Sequence, residues 1–172
     1  MTIFLANKKK TMQWSELRAH HLKKVDVFYR SSEVQERYKS HVDHIASCGM
    51  TLAQYMNTCL FRQNQEMVVT VNDFPYDLER GVAHLTVWLN PNIKNRYLLN
   101  FLTIRRPLMH EIAARIREDG CDVHDLHGKW LAHIPSLKEM EFAVVENAIK
   151  SVPSIPHVHL FIQKDLIATS KL

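Results

Sequence analysis

Glycine and proline are scarce, at four and six among 172 residues. That scarcity excludes a collagen-like, low-complexity or linker-rich chain. Cysteine is scarcer still. Cys48, Cys59 and Cys121 form no CxxC pair and no finger spacing, so they draw no disulfide framework and no zinc finger. The expectation is a reducing compartment and small buried apolar residues. No apolar run reaches the ~18 residues that a membrane-spanning helix needs. The opening MTIFLANKKK is too short in apolar residues for a secretory signal. There is no internal repeat. His110-Glu111 carries Ala114 where a zinc protease needs its second histidine. What remains is ordinary for one folded domain with a sizeable core: 46% hydrophobic and 23% charged residues. Lys and Arg outnumber Asp and Glu by 22 to 18. So mild an excess fits a small anionic ligand as well as a solvated basic surface, and argues against dedicated nucleic-acid binding.

The stretch Val69 to Leu89 reads as strand, tight polar turn, strand. Asn72, Asp73, Pro75, Asp77 and Gly81 supply the turn chemistry between two apolar runs. Side chains alternate along a strand, so His84, Thr86 and Trp88 share one face, opposite Leu85, Val87 and Leu89. A second histidine strand runs from Ile155 to Ile162 and puts His157 and His159 on one face.

Helical periodicity precedes the first of these strands. The spacing predicts a helix from a Thr11 cap to about Phe28, with Trp14, Leu17, His21, Val25 and Phe28 inward. A second helix is predicted from the capping box Ser32-x-x-Gln35, with Gly49 as its stop, and a third from Thr51-x-x-Gln54. Asn90-Pro91-Asn92 is a turn, and Pro107 opens a helix with Leu108, Ile112, Ala113 and Ile116 inward and Gly120 at its end. Residues 121–135 read as irregular. Ser136-x-x-Glu139 looks like a helix start, while Phe142 to Val145 fits helix or buried strand. The expected architecture is a single α+β domain over residues 1–172, with N-terminal helices packed on a mainly antiparallel sheet. Residues 1–10 are expected to form a flexible leader and 165–172 a tail.

Asn72-Asp73-Phe74-Pro75-Tyr76, Gly81-Val82, His84 and Trp88, with Val144-Val145-Glu146-Asn147, Ser151-Val152 and His157-Val158-His159, resemble the signature of the fungal N-acetylglucosamine-induced protein family. That family is a domain of unknown biochemical function. Trp14-x-x-Leu17 and the segment from Arg30 to Tyr38 resemble its helical N-terminal part. Asp77 and Ala148 depart from it, standing where a glycine and a tryptophan are expected. The resemblance implies a strand over Phe142 to Glu146 and an amino-sugar-linked context, and no established mechanism.

If the two histidine strands are neighbours, His84, His157 and His159 converge. Three readings stand side by side. One is acid/base work on a small anionic metabolite such as a phosphoester, sugar or nucleotide, with one neutral histidine accepting and one imidazolium donating. His84-Leu85-Thr86-Val87 matches the His-x-Thr-x pattern of two-histidine phosphoesterases, although its second copy, His157-Val158-His159-Leu160, has His159 in the threonine place. Phe161 stands where a histidine-triad hydrolase needs its third histidine. A second reading takes the same three histidines as ligands of a divalent metal, with Asp73 or Asp77. The third makes the protein a non-catalytic binding or interaction protein with structural histidines. Asn72, Asp73, Tyr76, Thr86 and Trp88 are the expected ligand-binding neighbours. The remaining eight histidines (His20, His21, His41, His44, His110, His124, His127 and His133) are expected at the surface or in packing, and Trp14 and Trp130 in the core. Arg105-Arg106 is a candidate phosphate contact, and Lys8-Lys9-Lys10 a solvated patch. The chain ends Ser170-Lys171-Leu172, the tripeptide read by the peroxisomal import receptor. The expected address is therefore the peroxisome or a related organelle such as the glycosome, and otherwise the cytoplasm.

Overall fold

The computed structural model describes residues 11–61, 65–93, 108–136, 142–148 and 150–163. Lys8-Lys9-Lys10, Arg105-Arg106, residues 137–141 of the expected helix start at Ser136, and Ser170-Lys171-Leu172 lie outside them.

Helix α1 spans Trp14–Ala19 and is capped at its N-terminus by two carboxylates. The Glu16 carboxylate accepts from the Gln13 N–H at 2.8 Å, and Glu79 accepts from the Trp14 N–H at 2.6 Å. It stops far short of Phe28. Leu22 turns into the left-handed region at φ 59°, its N–H donates to Val144 O at 2.7 Å, and Lys23–Val25 becomes strand β1. Sheet pairing thus overrides the helical spacing, yet Val25 and Phe28 still reach the core. Helix α2, Ser32–Ser47, is capped by Ser31, one residue before the expected box, and is followed by Gly49 at φ 74°. Helix α3, Leu52–Leu60, carries the predicted Thr51/Gln54 capping box.

Strand β2, Met67–Val71, pairs antiparallel with β3, Val82–Leu89. The connection at 72–81 is a long loop rather than a tight turn. It is pinned because Leu78 bridges to Met12 and the Asp77 N–H donates to Tyr29 O at 2.9 Å. Helix α4, Leu108–Asp119, buries the predicted Leu108, Ile112, Ala113 and Ile116. The supposedly irregular segment is a hairpin of β4, Cys121–His124, and β5, Trp130–Ile134. Its turn is built by the Asp125 carboxylate, which accepts from the N–H groups of His127 and Lys129 at 2.8 and 2.9 Å. Trp130 is 57% exposed on this edge strand and not in the core. Phe142–Asn147 is strand β6, and His157–Gln163 is strand β7.

Among the described residues, seven strands form one mixed, mainly antiparallel sheet in the order β1-β6-β7-β3-β2-β4-β5. Only β1 with β6 and β2 with β4 run parallel. The class is α+β, although α4 shows that the helices are not confined to the N-terminal part. One sheet face, with Leu85, Val87, Val158 and Leu160, packs against α4 in a continuous apolar core. The other face is covered by two separate apolar clusters. Met56, Leu60, Trp88 and Val152 form one; Leu17, Tyr76, Val145 and Phe161 form the other. The polar centre of the sheet lies between them.

Candidate functional site

Register brings the two histidine strands together. In the β3–β7 ladder, His84 lies opposite Phe161, Thr86 opposite His159 and Trp88 opposite His157; in the β2–β3 ladder, Thr70 lies opposite Thr86. Residues directly opposite in an antiparallel pair share a face, so one sheet face carries Thr70, His84, Thr86, Trp88, His157 and His159. All six are buried. Burying that many polar groups costs free energy unless each is hydrogen-bonded.

The bonds form a directed chain. The backbone N–H of Tyr76 can only donate, and it lies 3.2 Å from His84 Nδ1. His84 Nδ1 is therefore the acceptor, and Nε2 carries the ring proton. That proton is directed at His159 Nδ1, 2.9 Å away; the Asn72 amide nitrogen, 3.2 Å from the same Nε2, is itself a donor and so makes a contact there and not a hydrogen bond. His159 in turn carries its proton on Nε2, 3.2 Å from the Tyr76 hydroxyl, which also accepts from Asn147 Nδ2 at 2.9 Å. Asn72 is held by the Phe74 N–H donating to its Oδ1 at 2.9 Å, which aims its amide nitrogen at Thr86 Oγ1, 3.2 Å away. Trp88 Nε1 donates to Thr70 Oγ1 at 3.0 Å. His157 stands apart: its Nδ1 donates to Ile155 O at 2.7 Å, and the ring lies against Trp88 with centroids 4.7 Å apart. Both nitrogens of His84 and His159 are thus engaged, while Nε2 of His157 remains an acceptor.

Burial sets the charge of these rings. Desolvation pulls His84 down to about 3, aided by the Arg30 charge. It pulls His157 to about 4 and, with the positive fields of His84 and His157, holds His159 well below the usual range. All three are neutral at pH 7. An acid/base pair that keeps one imidazolium near neutrality is therefore not what this face supplies; the ordinary histidine range applies only in water. The same geometry bears on metal binding. His84 Nε2 and His159 Nδ1 face each other in a hydrogen bond rather than a common third point. Among the described residues, no group of three or more His, Cys, Asp and Glu side chains is placed to hold a metal ion.

A cavity of about 70 Å³ opens over this face, lined among others by Thr70, Asn72, Asp73, Thr86, Trp88, His157 and His159. Of the expected neighbours, Asn72, Asp73, Thr86 and Trp88 line it. Tyr76 does not sit at its rim; it is buried behind the cavity, where it holds His84 and His159. His84 is likewise a backing residue. Burial pushes the Asp73 carboxyl upward, against the fields of His41, His127 and Arg37.

The decisive side chain was not among the expected site residues. Arg30 lines the cavity. Its guanidinium sits over the ring of Tyr38 at 4.5 Å and of Tyr76 at 5.4 Å, and its Nε donates to Phe74 O at 3.0 Å. It makes no ion pair among the described residues. His41, placed with the surface or packing histidines by sequence, also lines the cavity, against Phe74 with centroids 5.1 Å apart. Arg30 precedes the α2 cap, so its sequence neighbourhood speaks only of a helix start. The 72–81 loop folds back to bring Phe74 and Tyr76 beneath it.

Comparison with known proteins gives a family and a fold. A family model described as a protein of unknown function (DUF3605) matches residues 13–163. A solved structure described as "Crystal Structure of HTC1" superposes with a TM-score of 0.54 at 18% identity, covering 88% of this chain and 85% of that one. Such a likeness concerns the fold. No curated protein matches the chain.

Proposed function

The chain belongs to the DUF3605 family, which brings no established activity, and from the geometry of the cavity we propose that the protein binds a small anionic metabolite. The observation that carries this reading is Arg30. A guanidinium held over two tyrosine rings and fixed by a backbone carbonyl, with no carboxylate partner among the described residues, is oriented for an anion that the protein does not itself provide. His157 Nε2 and the hydroxyls of Thr70 and Thr86 face the remainder of such a ligand. The test is a thermal-shift panel of small carboxylates and phosphate esters on wild-type protein and Arg30→Gln. At least one anion is expected to raise the wild-type Tm and leave the variant unmoved. A panel that moves neither protein overturns the reading.

A second reading, catalysis, is favoured by one feature. His157 is held in the tautomer that presents Nε2 as an acceptor, so a ligand hydroxyl there could pass it a proton, with the burial that lowers the ring to about 4 weakening it as a base. Under it, His157→Ala keeps the fold and abolishes turnover. Binding without any turnover in wild type leaves the non-catalytic reading. The motifs Asn72-Asp73-Phe74-Pro75-Tyr76 and His157-Val158-His159 support a place among the fungal N-acetylglucosamine-induced proteins, tested by transcript levels on that sugar. Residence in the peroxisome is part of the proposal on the strength of Ser170-Lys171-Leu172. Deleting Leu172 should leave the protein in the cytosol, and unchanged organelle staining would refute that address.

A further inference from the structure

Resting on the reading that the cavity takes a small anion, we propose that its ligand is a compact hydroxy monocarboxylate rather than a phosphate ester. Charge is the first argument. Among the described residues, Arg30 is the sole arginine or lysine lining the cavity, and Asp73 is the sole carboxylate. A monocarboxylate balances Arg30. A phosphate ester, carrying roughly −1.5 to −2 near neutral pH, would set its second charge against Asp73 with no further arginine or lysine to meet it.

Shape is the second, and it sets the mode of contact. Arg30 Nε is already committed to Phe74 O, which leaves the two terminal amino groups as a planar fork. That fork takes two oxygens of one anionic group, a carboxylate or a phosphate alike, so the charge count is what separates the two. The guanidinium carbon also lies 4.5 Å from the centre of the Tyr38 ring, which supports the fork from one side.

The third argument is the hydrogen-bond inventory of the cavity floor. Thr70 Oγ1 accepts from Trp88 and Thr86 Oγ1 from Asn72, so each hydroxyl keeps its own proton to donate. His157 Nε2 accepts. Two donors beside one acceptor suit alcohol groups, which do both. The cavity of about 70 Å³ has room for on the order of five waters at roughly 10–15 Å³ each, which sets the scale at a short-chain acid rather than a nucleotide.

The experiment is isothermal titration of the full chain with three probes of one carbon skeleton: glycerate, glycerol and glycerol 3-phosphate. Glycerate is expected to bind one per chain, glycerol not at all, and glycerol 3-phosphate about tenfold or more weaker than glycerate. Arg30→Lys, which keeps the charge and loses the fork, should weaken glycerate by about tenfold. Thr86→Val should weaken it while sparing Arg30, and serves as the second variant if Arg30→Lys unfolds. Tighter binding of glycerol 3-phosphate than of glycerate overturns the carboxylate assignment and leaves the anion reading standing. Equal binding of glycerol and glycerate overturns both. No glycerate binding at millimolar concentration overturns this inference alone, since the wider anion panel decides the other.

Discussion

Lowering the pH from 8 to 5 should destabilise this protein by an amount that its histidines set. An unfolded histidine titrates near 6.5, while folded His84 and His157 titrate near 3 and 4 because burial favours the neutral ring. Above the unfolded value both states are neutral and nothing is lost. Below it the unfolded chain takes up protons that the folded chain refuses, so stability falls as pH falls through the window from about 6.5 towards 4. By pH 5 each ring costs about 2 kcal/mol, and the two together about 4 kcal/mol. His159 acts in the same direction. Asp73, whose carboxyl burial holds above its usual range, works the other way. The loss is large beside a typical stability of about 5–15 kcal/mol. Urea unfolding at pH 8 and pH 5, followed by tryptophan fluorescence with the m-value checked for constancy, reads it directly. His157→Gln should shrink the difference by about 2 kcal/mol. A wild-type difference below about 1 kcal/mol would show that these rings ionise inside the fold, and the reasoning would fail.

Other expectations are quicker to test. Tyr76→Phe removes the acceptor shared by His159 and Asn147, and should cost about 1–3 kcal/mol in the same urea assay. Gly120→Ala should be far worse than Gly81→Ala. Both have left-handed φ, but a Cβ at Gly120 would collide with the Ile134 carbonyl oxygen, whereas at Gly81 it meets nothing within 4 Å. Similar Tm losses for the two would contradict this. A thiol reagent on the native protein should modify exposed Cys48 quickly and leave Cys59 and Cys121 slow. Both of the latter are buried, and burial pushes the Cys121 thiol up to about 12. Rapid loss of all three thiols would refute the packing of α3 and β4.

Local chemistry was legible where the chain itself settles the structure. The Thr51/Gln54 box, the inward stripe of α4 and the alternation of β3 and β7 all depend on residues a few positions apart, and all are present. The convergence of the histidines depended on whether β3 neighbours β7, a long-range pairing that no single segment encodes. The errors share that origin. Residues 20–25 carry helical spacing, yet Lys23–Val25 pair with β6. The 121–135 hairpin was hidden because its strands are short and its turn is made by Asp125. The charge state of the histidines was not legible because it depends on desolvation, which follows from α1–α3 closing over the sheet face. Arg30 escaped notice because its partners, Phe74 and Tyr76, lie more than 40 residues downstream in a folded-back loop.

The central claim is that three buried neutral histidines stand in fixed tautomers and that only His157 keeps a free nitrogen. Long-range nitrogen–proton NMR of the imidazoles across pH 5 to 8 measures this directly. The predicted pattern is Nε2-protonated rings for His84 and His159 and an Nδ1-protonated ring for His157, with no titration step near 6.5 for any of them. A bound anion should shift His157 Nε2 and leave the His84 pattern in place. Titration of any of the three near 6.5, or an Nε2-protonated His157, would contradict the account.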